Sequence, residues 1–110
     1  MPNEEWRFYH NTHFKFSNYG RLLNTKTNRL LICHTGYDGY CYYSPVIDGK
    51  TKKIMAHRGV YESFYDVYLD KQEQIDHIDM DKSNNKLENL RKVSSQENCY
   101  YRSRNIVGKI

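Results

Sequence analysis

Ile75-Asp76-His77-Ile78-Asp79-Met80-Asp81-Lys82-Ser83-Asn84-Asn85-Lys86-Leu87-Glu88-Asn89-Leu90, continued by Arg91-Lys92-Val93-Ser94-Ser95-Gln96-Glu97-Asn98, is the stretch on which the reading of the chain turns. Residues 74–78 are predicted to form a short strand with Ile75 inward. A polar loop follows, rich in Asp and Asn, whose side chains hydrogen-bond nearby backbone and stabilise turns. Residues 90–93 predict a second short strand. Ser94 with Glu97 three residues later has the spacing of a capping box, so a helix is expected to start at Ser94 or Ser95 and run to about residue 102 or 104. The order is strand, loop, strand, helix.

Upstream of this unit the first half reads as β. Trp6, Phe8, Phe14 and Phe16 alternate loosely with polar residues, and Ser17-Asn18-Tyr19-Gly20 is turn chemistry. Arg21-Leu22-Leu23 and Leu30-Leu31-Ile32 flank a polar turn at residues 24–28, as in a hairpin. Gly36-Tyr37-Asp38-Gly39 is a second turn. Residues 40–47 predict a strand, with Pro45 near its end suggesting an edge. Asp48-Gly49 is a strong hairpin signal, and residues 50–56 would return. From residue 56 to 69 the pattern becomes helical, with Val60, Phe64, Val67 and Tyr68 on one side.

The bulk properties narrow the class. A chain of 110 residues fits one domain with a modest core. Hydrophobic residues make up 38%, and the mean hydropathy of −0.93 implies a very polar surface. The net charge of +4 is mildly basic, which favours a polyanionic partner without proving one. Eleven Tyr against four Phe and one Trp suit either a wet small core or a surface that touches polar ligands. Cys33, Cys41 and Cys99 form no CxxC pair, and their odd number argues against a disulfide framework. His34 beside Cys33 lacks the spacing of common structural zinc sites. No apolar opening segment or spanning-length run occurs, so a soluble intracellular protein is expected.

At residues 75–98 the sequence resembles the HNH endonuclease family in its His-Asn-Asn form, on Asp76-His77, on Asn89 within Glu88-Asn89-Leu90, and on Asn98 within Ser95-Gln96-Glu97-Asn98. The loop Asp79-Met80-Asp81-Lys82-Ser83-Asn84-Asn85 is of the kind that family carries. Glu5-Trp6-Arg7, Ser17-Asn18-Tyr19-Gly20-Arg21 and Ala56-His57-Arg58 resemble the modules that precede such sites in phage homing endonucleases. The aromatic stretch 37–43 matches no motif. The resemblance implies an α+β fold: a β-rich N-terminal part with a helix, followed by a C-terminal ββα-metal finger. The expected organisation is a single unit over residues 1–110, with a DNA-contact part at 1–55, a helix at 56–70 and the finger at 73–104. The resemblance also implies a metal-dependent endonuclease acting on double-stranded DNA, leaving 5′-phosphate and 3′-hydroxyl ends, in the cytoplasm of a phage-infected bacterial host.

The chemistry of phosphodiester hydrolysis explains these residue types. A neutral imidazole can take a proton from water near pH 7 because its reference pKa is about 6.5, and His77 fits that role. Mg²⁺ or Mn²⁺ prefers carboxylate, amide and water oxygens; Asp76 offers the first and Asn98 the second. Asp76 and His77 are adjacent, so an extended strand would point them to opposite faces, and a bulge or strand end is needed for both to meet one phosphate. Asn89, by resemblance, fastens the loop and helps orient His77. Candidate nucleic-acid contacts are Arg91, Lys92, Arg102 and Arg104 around the site, Arg21 near a turn, and His57 and Arg58 at the helix start, with Tyr100 and Tyr101 interleaved.

Other readings are weaker. Asp79, Asp81, Ser83 and Asn85 occupy odd positions of a calcium loop, but Asn84 stands where the turn Gly belongs and Leu90 where the bidentate Glu belongs. A DNA-binding module with an inactive HNH-like finger, and a protein-interaction module using a Tyr-rich face, are the functional alternatives.

Overall fold

The computed structural model describes residues 3–94. Asn98, Arg102, Arg104 and the helix expected from Ser94 or Ser95 onward lie outside the described residues. Within them the architecture is α+β, with one α-helix and several short antiparallel strands.

The N-terminal part is a four-stranded meander in the order β1 (Trp6–Phe8), β2 (Phe14–Ser17), β3 (Leu22–Asn24) and β4 (Arg29–Leu30). Its register places Phe16 opposite Leu22, and both are fully buried. The β3–β4 turn is closed by the Asn24 side chain, which accepts from the Lys26 and Thr27 amides.

Strands β5 (His34–Thr35) and β6 (Cys41–Tyr43) come next. They are followed by a two-residue hairpin of β7 (Val46–Ile47) and β8 (Lys50–Thr51), and then by β9 (Ile54–Met55), which pairs back onto β6. Asp48 at φ 53° and Gly49 at φ 76° make the two positive-φ positions that a type I′ turn needs. The expected strand at 40–47 is therefore two strands, and its partner at 50–56 is two as well. Pro45 lies in the break; its side chain is fully buried and it has no N–H to give a ladder. The pairing at β5 was not signalled in the sequence.

The helix α1 (Ala56–Tyr65) is shorter than the expected 56–70. It stops at Asp66, which adopts a left-handed conformation (φ 53°, ψ 51°), and the Val67 amide then donates to the Glu62 carbonyl at 3.2 Å. This six-to-one closure satisfies a carbonyl the helix end would strand. The Glu62 carboxylate holds the next segment, accepting from the Leu69 amide at 2.9 Å and facing His10 Nε2 at 3.0 Å. Val60 is buried, but Val67 and Tyr68 leave the helix and are exposed; Tyr68 stacks on His10.

The chain then forms the hairpin of β10 (Glu73–His77) and β11 (Leu90–Ser94), joined by a polar loop and a single 3-10 turn at Leu87–Asn89. Its register runs without a bulge from Glu73 opposite Ser94 to His77 opposite Leu90, and Ile78 continues it by donating to the Asn89 carbonyl at 2.9 Å.

A single cluster of buried residues joins these parts: Phe14, Phe16 and Leu22 from the meander, Cys41, Tyr43 and Ile54 from the middle sheet, Ala56 and Val60 from α1, Ile75 and Leu90 from the hairpin. Gly59 lets helix and meander approach closely, since a Cβ there would lie 2.4 Å from the Phe16 ring. No helix among the described residues is long and apolar enough to cross a membrane.

Candidate active site

His77 ends β10 on the same face as the buried Ile75, and its ring is itself buried. Its Nε2–H donates to Asn85 Oδ1 at 2.8 Å. With an amide oxygen as acceptor, the neutral ring carries its proton on Nε2 and keeps a lone pair on Nδ1. Asn85 comes from the polar loop, and the sequence did not single it out for this role. The paired asparagines were its only signal, and paired asparagines read first as turn formers.

Two further rings surround His77. His57 from the first turn of α1 lies 5.1 Å away between centroids, and Tyr40, just before β6, lies 5.9 Å away. Tyr40 stacks on His57 at 4.9 Å. Lys82 crosses from the loop, donating to the Asp38 carbonyl at 2.7 Å with its ammonium 4.6 Å from the Tyr40 ring. The aromatic stretch that matched no motif thus reaches the neighbourhood of the imidazole. His57 is 8% exposed, and its Nδ1 has no hydrogen-bond partner among the described residues. Burial, and then the neighbouring His77 and Arg58, push its pKa down to about 3, so it is neutral at pH 7.

Asn89 closes the neck of the loop. Its Oδ1 accepts from the Asp79 amide at 3.1 Å, and its Nδ2 donates to Asp79 Oδ1 and to the Asn84 carbonyl, both at 2.9 Å. The Asp79 carboxylate also accepts from the Asn84 side chain and the Asp81 amide. These bonds, that from Asn84 foremost, hold Asp79 below the usual carboxylate range, and Ser83 does the same for Asp81. The loop's acids are engaged within the loop, as suits a connection rather than a calcium cage. The imidazole donates to Asn85, while Asn89 bonds the loop backbone and the Asp79 carboxylate.

Asp76 points to the opposite face from His77, where Arg91, its cross-strand partner, donates Nε and Nη2 to Asp76 Oδ2 at 3.2 and 3.0 Å. A partly exposed carboxylate is suitable chemistry for one ligand of a hard dication. Among the described residues, however, no group of three or more His, Cys, Asp or Glu could hold a metal on its own. The donor set fits only a loosely held cation whose shell substrate and water would complete.

The other candidate cations among the described residues are engaged as well. Arg58 donates to the Glu73 carbonyl at 2.6 Å and the Asp70 carbonyl at 2.7 Å, tying α1 to the start of β10. Arg21 grips the Glu4 carboxylate and lies over the Trp6 ring. Lys92 pairs with Glu73 at 3.0 Å. Cys33 and Cys41 are free thiols.

The fold and site define an α+β unit that carries an Asp-His pair at the end of a β hairpin and an asparagine-clasped loop between its strands. Residues 55–100 match the model of an HNH endonuclease family. The chain is similar to the H-N-H endonuclease F-TflII of Escherichia phage T5, 34% identical over 85 residues, which is 76% of this chain and 44% of that protein. It is also similar to a solved structure of DNA binding and cleavage by the HNH homing endonuclease I-HmuI, with a TM-score of 0.80 and 29% identity over 96% of this chain and 60% of that one. The chain thus spans less than two thirds of the length of either relative. Over residues 55–100 it carries the pattern of an HNH endonuclease family.

Proposed function

We propose that this chain is a metal-dependent DNA endonuclease that hydrolyses phosphodiester bonds, of a phage homing or DNA-processing kind. The observation that carries the proposal is the His77 imidazole, whose Nε2–H is held by Asn85 so that the ring's lone pair falls on Nδ1, one residue from the Asp76 carboxylate. Its support comes from the similarity to I-HmuI, whose structure concerns DNA binding and cleavage.

In this reading His77 is the general base that takes the proton from the attacking water. Asn85 holds the ring in the tautomer that leaves Nδ1 free. Asn89 keeps the loop closed, so that the strand end carrying His77 does not fray. Asp76 and Asn98 would hold the divalent cation, Mg²⁺ or Mn²⁺, which supplies charge stabilisation at the phosphate and the leaving oxygen. With no bulge in β10, the phosphate would approach at the loop end of the hairpin, where β10 finishes at His77. Arg91 and Lys92, with Arg102 and Arg104, would flank the backbone of double-stranded DNA. Arg21, Arg58 and His57 belong to the same proposal, Arg58 and His57 chiefly as supports of the site given their bonds and burial. One unit over residues 1–110 with one site would nick as a monomer and cut both strands as a dimer, inside a phage-infected bacterial cell.

The Asp76–Arg91 pair favours a second reading, a DNA-binding module without cleavage, because the carboxylate already has a cationic partner. Supercoiled plasmid incubated with Mg²⁺ or Mn²⁺, and with chelator, separates the two. Nicked or linear product that appears only with metal supports the nuclease. Salt-sensitive binding with no product supports the module.

A further inference from the structure

We infer that the β2–β3 turn of the N-terminal meander is the seat of the catalytic base, with Gly20 and Asn85 as positioning residues that fix the His77 ring. The inference rests on the reading of His77 as the base.

The hairpin loop clasp and the Asn85 contact are separate devices. Asn89, Asp79 and Asn84 tie the loop to itself, but none of their bonds fixes the Asn85 side chain. Asn85 is set from outside the hairpin. A Cβ at Gly20 would lie 2.9 Å from Asn85 Cβ and 3.0 Å from its carbonyl oxygen, so the bare glycine backbone is the surface against which Asn85 rests. Gly20 has φ +91°, a conformation that side chains rarely adopt. The turn is anchored in the core. The buried Tyr43 hydroxyl donates to the Gly20 carbonyl at 2.7 Å, and the fully buried Ser17 hydroxyl accepts from the Tyr19 and Arg21 amides at 3.1 Å each. Next to Asn85, the Leu87 amide donates to the Asn18 carbonyl at 2.8 Å, stapling the loop to the same turn. A continuous path of contacts therefore runs from Tyr43 in the core through Gly20 and Asn85 to His77 Nε2.

This gives a role to Ser17-Asn18-Tyr19-Gly20, a motif that neither the base nor the metal ligands account for. A loop asparagine without secondary structure of its own has rotamer freedom to lose, and a rigid turn behind it removes that freedom before substrate arrives. The test uses the full chain with Gly20→Ala, Asn85→Ala and the double variant. Two readouts are taken: nitrogen NMR of the His77 ring at neutral pH, and single-turnover cleavage of supercoiled plasmid with saturating Mg²⁺. The parent ring is expected to show a protonated Nε2 and an unprotonated Nδ1, and both single variants a mixture of tautomers. Each single variant is expected to lose about 10- to 100-fold in rate, the scale of a displaced catalytic group, with little change in KM. The double variant should be no slower than the slower single one. Tyr43→Phe removes the anchor without crowding the turn; it should disturb the same ring signal, and it decides the matter if Gly20→Ala does not fold. A parental His77 signal in Gly20→Ala or Tyr43→Phe, or losses that multiply in the double variant, would overturn the inference. A parent that cleaves nothing, while its ring signal follows Gly20 and Asn85, sinks the nuclease reading and leaves the seat standing.

Discussion

At the scale of single residues, the proposed reaction rests on one imidazole. Its Nε2 is committed to Asn85, and the Nδ1 lone pair is the one proposed for the attacking water. His77→Ala should therefore slow metal-dependent plasmid cleavage by roughly 10²- to 10⁴-fold, the usual worth of a general base. Cleavage at the parental rate would show that another group takes the proton. Asn89 makes three hydrogen bonds in the loop neck, and Asn89→Ala leaves the partly buried Asn84 carbonyl and Asp79 amide short of partners. A loss of about 1–3 kcal/mol in urea unfolding is expected. Asp76, His77 and Asn89 were picked out through the family resemblance of residues 75–98, and the structure sets His77 and Asn89 at the two sides of one loop. Asn85 was not, because its role is a tertiary hydrogen bond and its position reads as an ordinary turn. His57 read as either a phosphate contact or a helix cap; it is buried, with the Tyr40 ring from just before β6 stacked on it. Nothing local to Ala56-His57-Arg58 announces that cover.

At the scale of elements, hydrophobic periodicity located the hairpin strands to within a residue or so and found the start of α1, but overran its end. Val67 and Tyr68 continue the apolar pattern, and only the left-handed turn at Asp66 and the demands of Glu62 stop the helix. Strand breaks at Pro45 are likewise set by what the prolyl nitrogen cannot donate. Gly59 offers a direct check on how α1 meets the meander. In an isolated helix Gly→Ala would add up to about 1 kcal/mol of stability. Here the added methyl would lie 2.4 Å from the Phe16 ring and 2.9 Å from Ile54. Overpacking of this kind costs about 1–3 kcal/mol, so Gly59→Ala is expected to lower the urea midpoint. A raised midpoint would mean that the Phe16 ring can swing aside.

At the scale of the whole molecule, one buried cluster joins meander, middle sheet, helix and hairpin, and the buried His57 follows its member Ala56 in the chain. His57 titrates near 6.5 when unfolded but is pushed down to about 3 in the folded chain. Between these values the unfolded state holds a proton that the folded state does not. The contribution of His57 to stability is therefore complete above about pH 6.5 and falls with decreasing pH, by up to about 1.4 kcal/mol per unit. Urea unfolding of the parent and of His57→Gln between pH 7 and 4 should diverge accordingly, with the variant showing the flatter profile; parallel profiles would place the charge change elsewhere. The Arg91 guanidinium has a consequence at this scale too. Sitting across the strand pair from Asp76, it makes the carboxylate electroneutral at rest. Zinc-finger domains depend on their ion to fold, but this hairpin has a resident counter-charge and a hydrophobic anchor in Ile75 and Leu90. Chelator should abolish turnover and leave the melting temperature in place. In that sense the guanidinium is a doorkeeper: on the proposed reading it holds the Asp76 carboxylate until an ion takes its place, and the hairpin does not need that ion to fold.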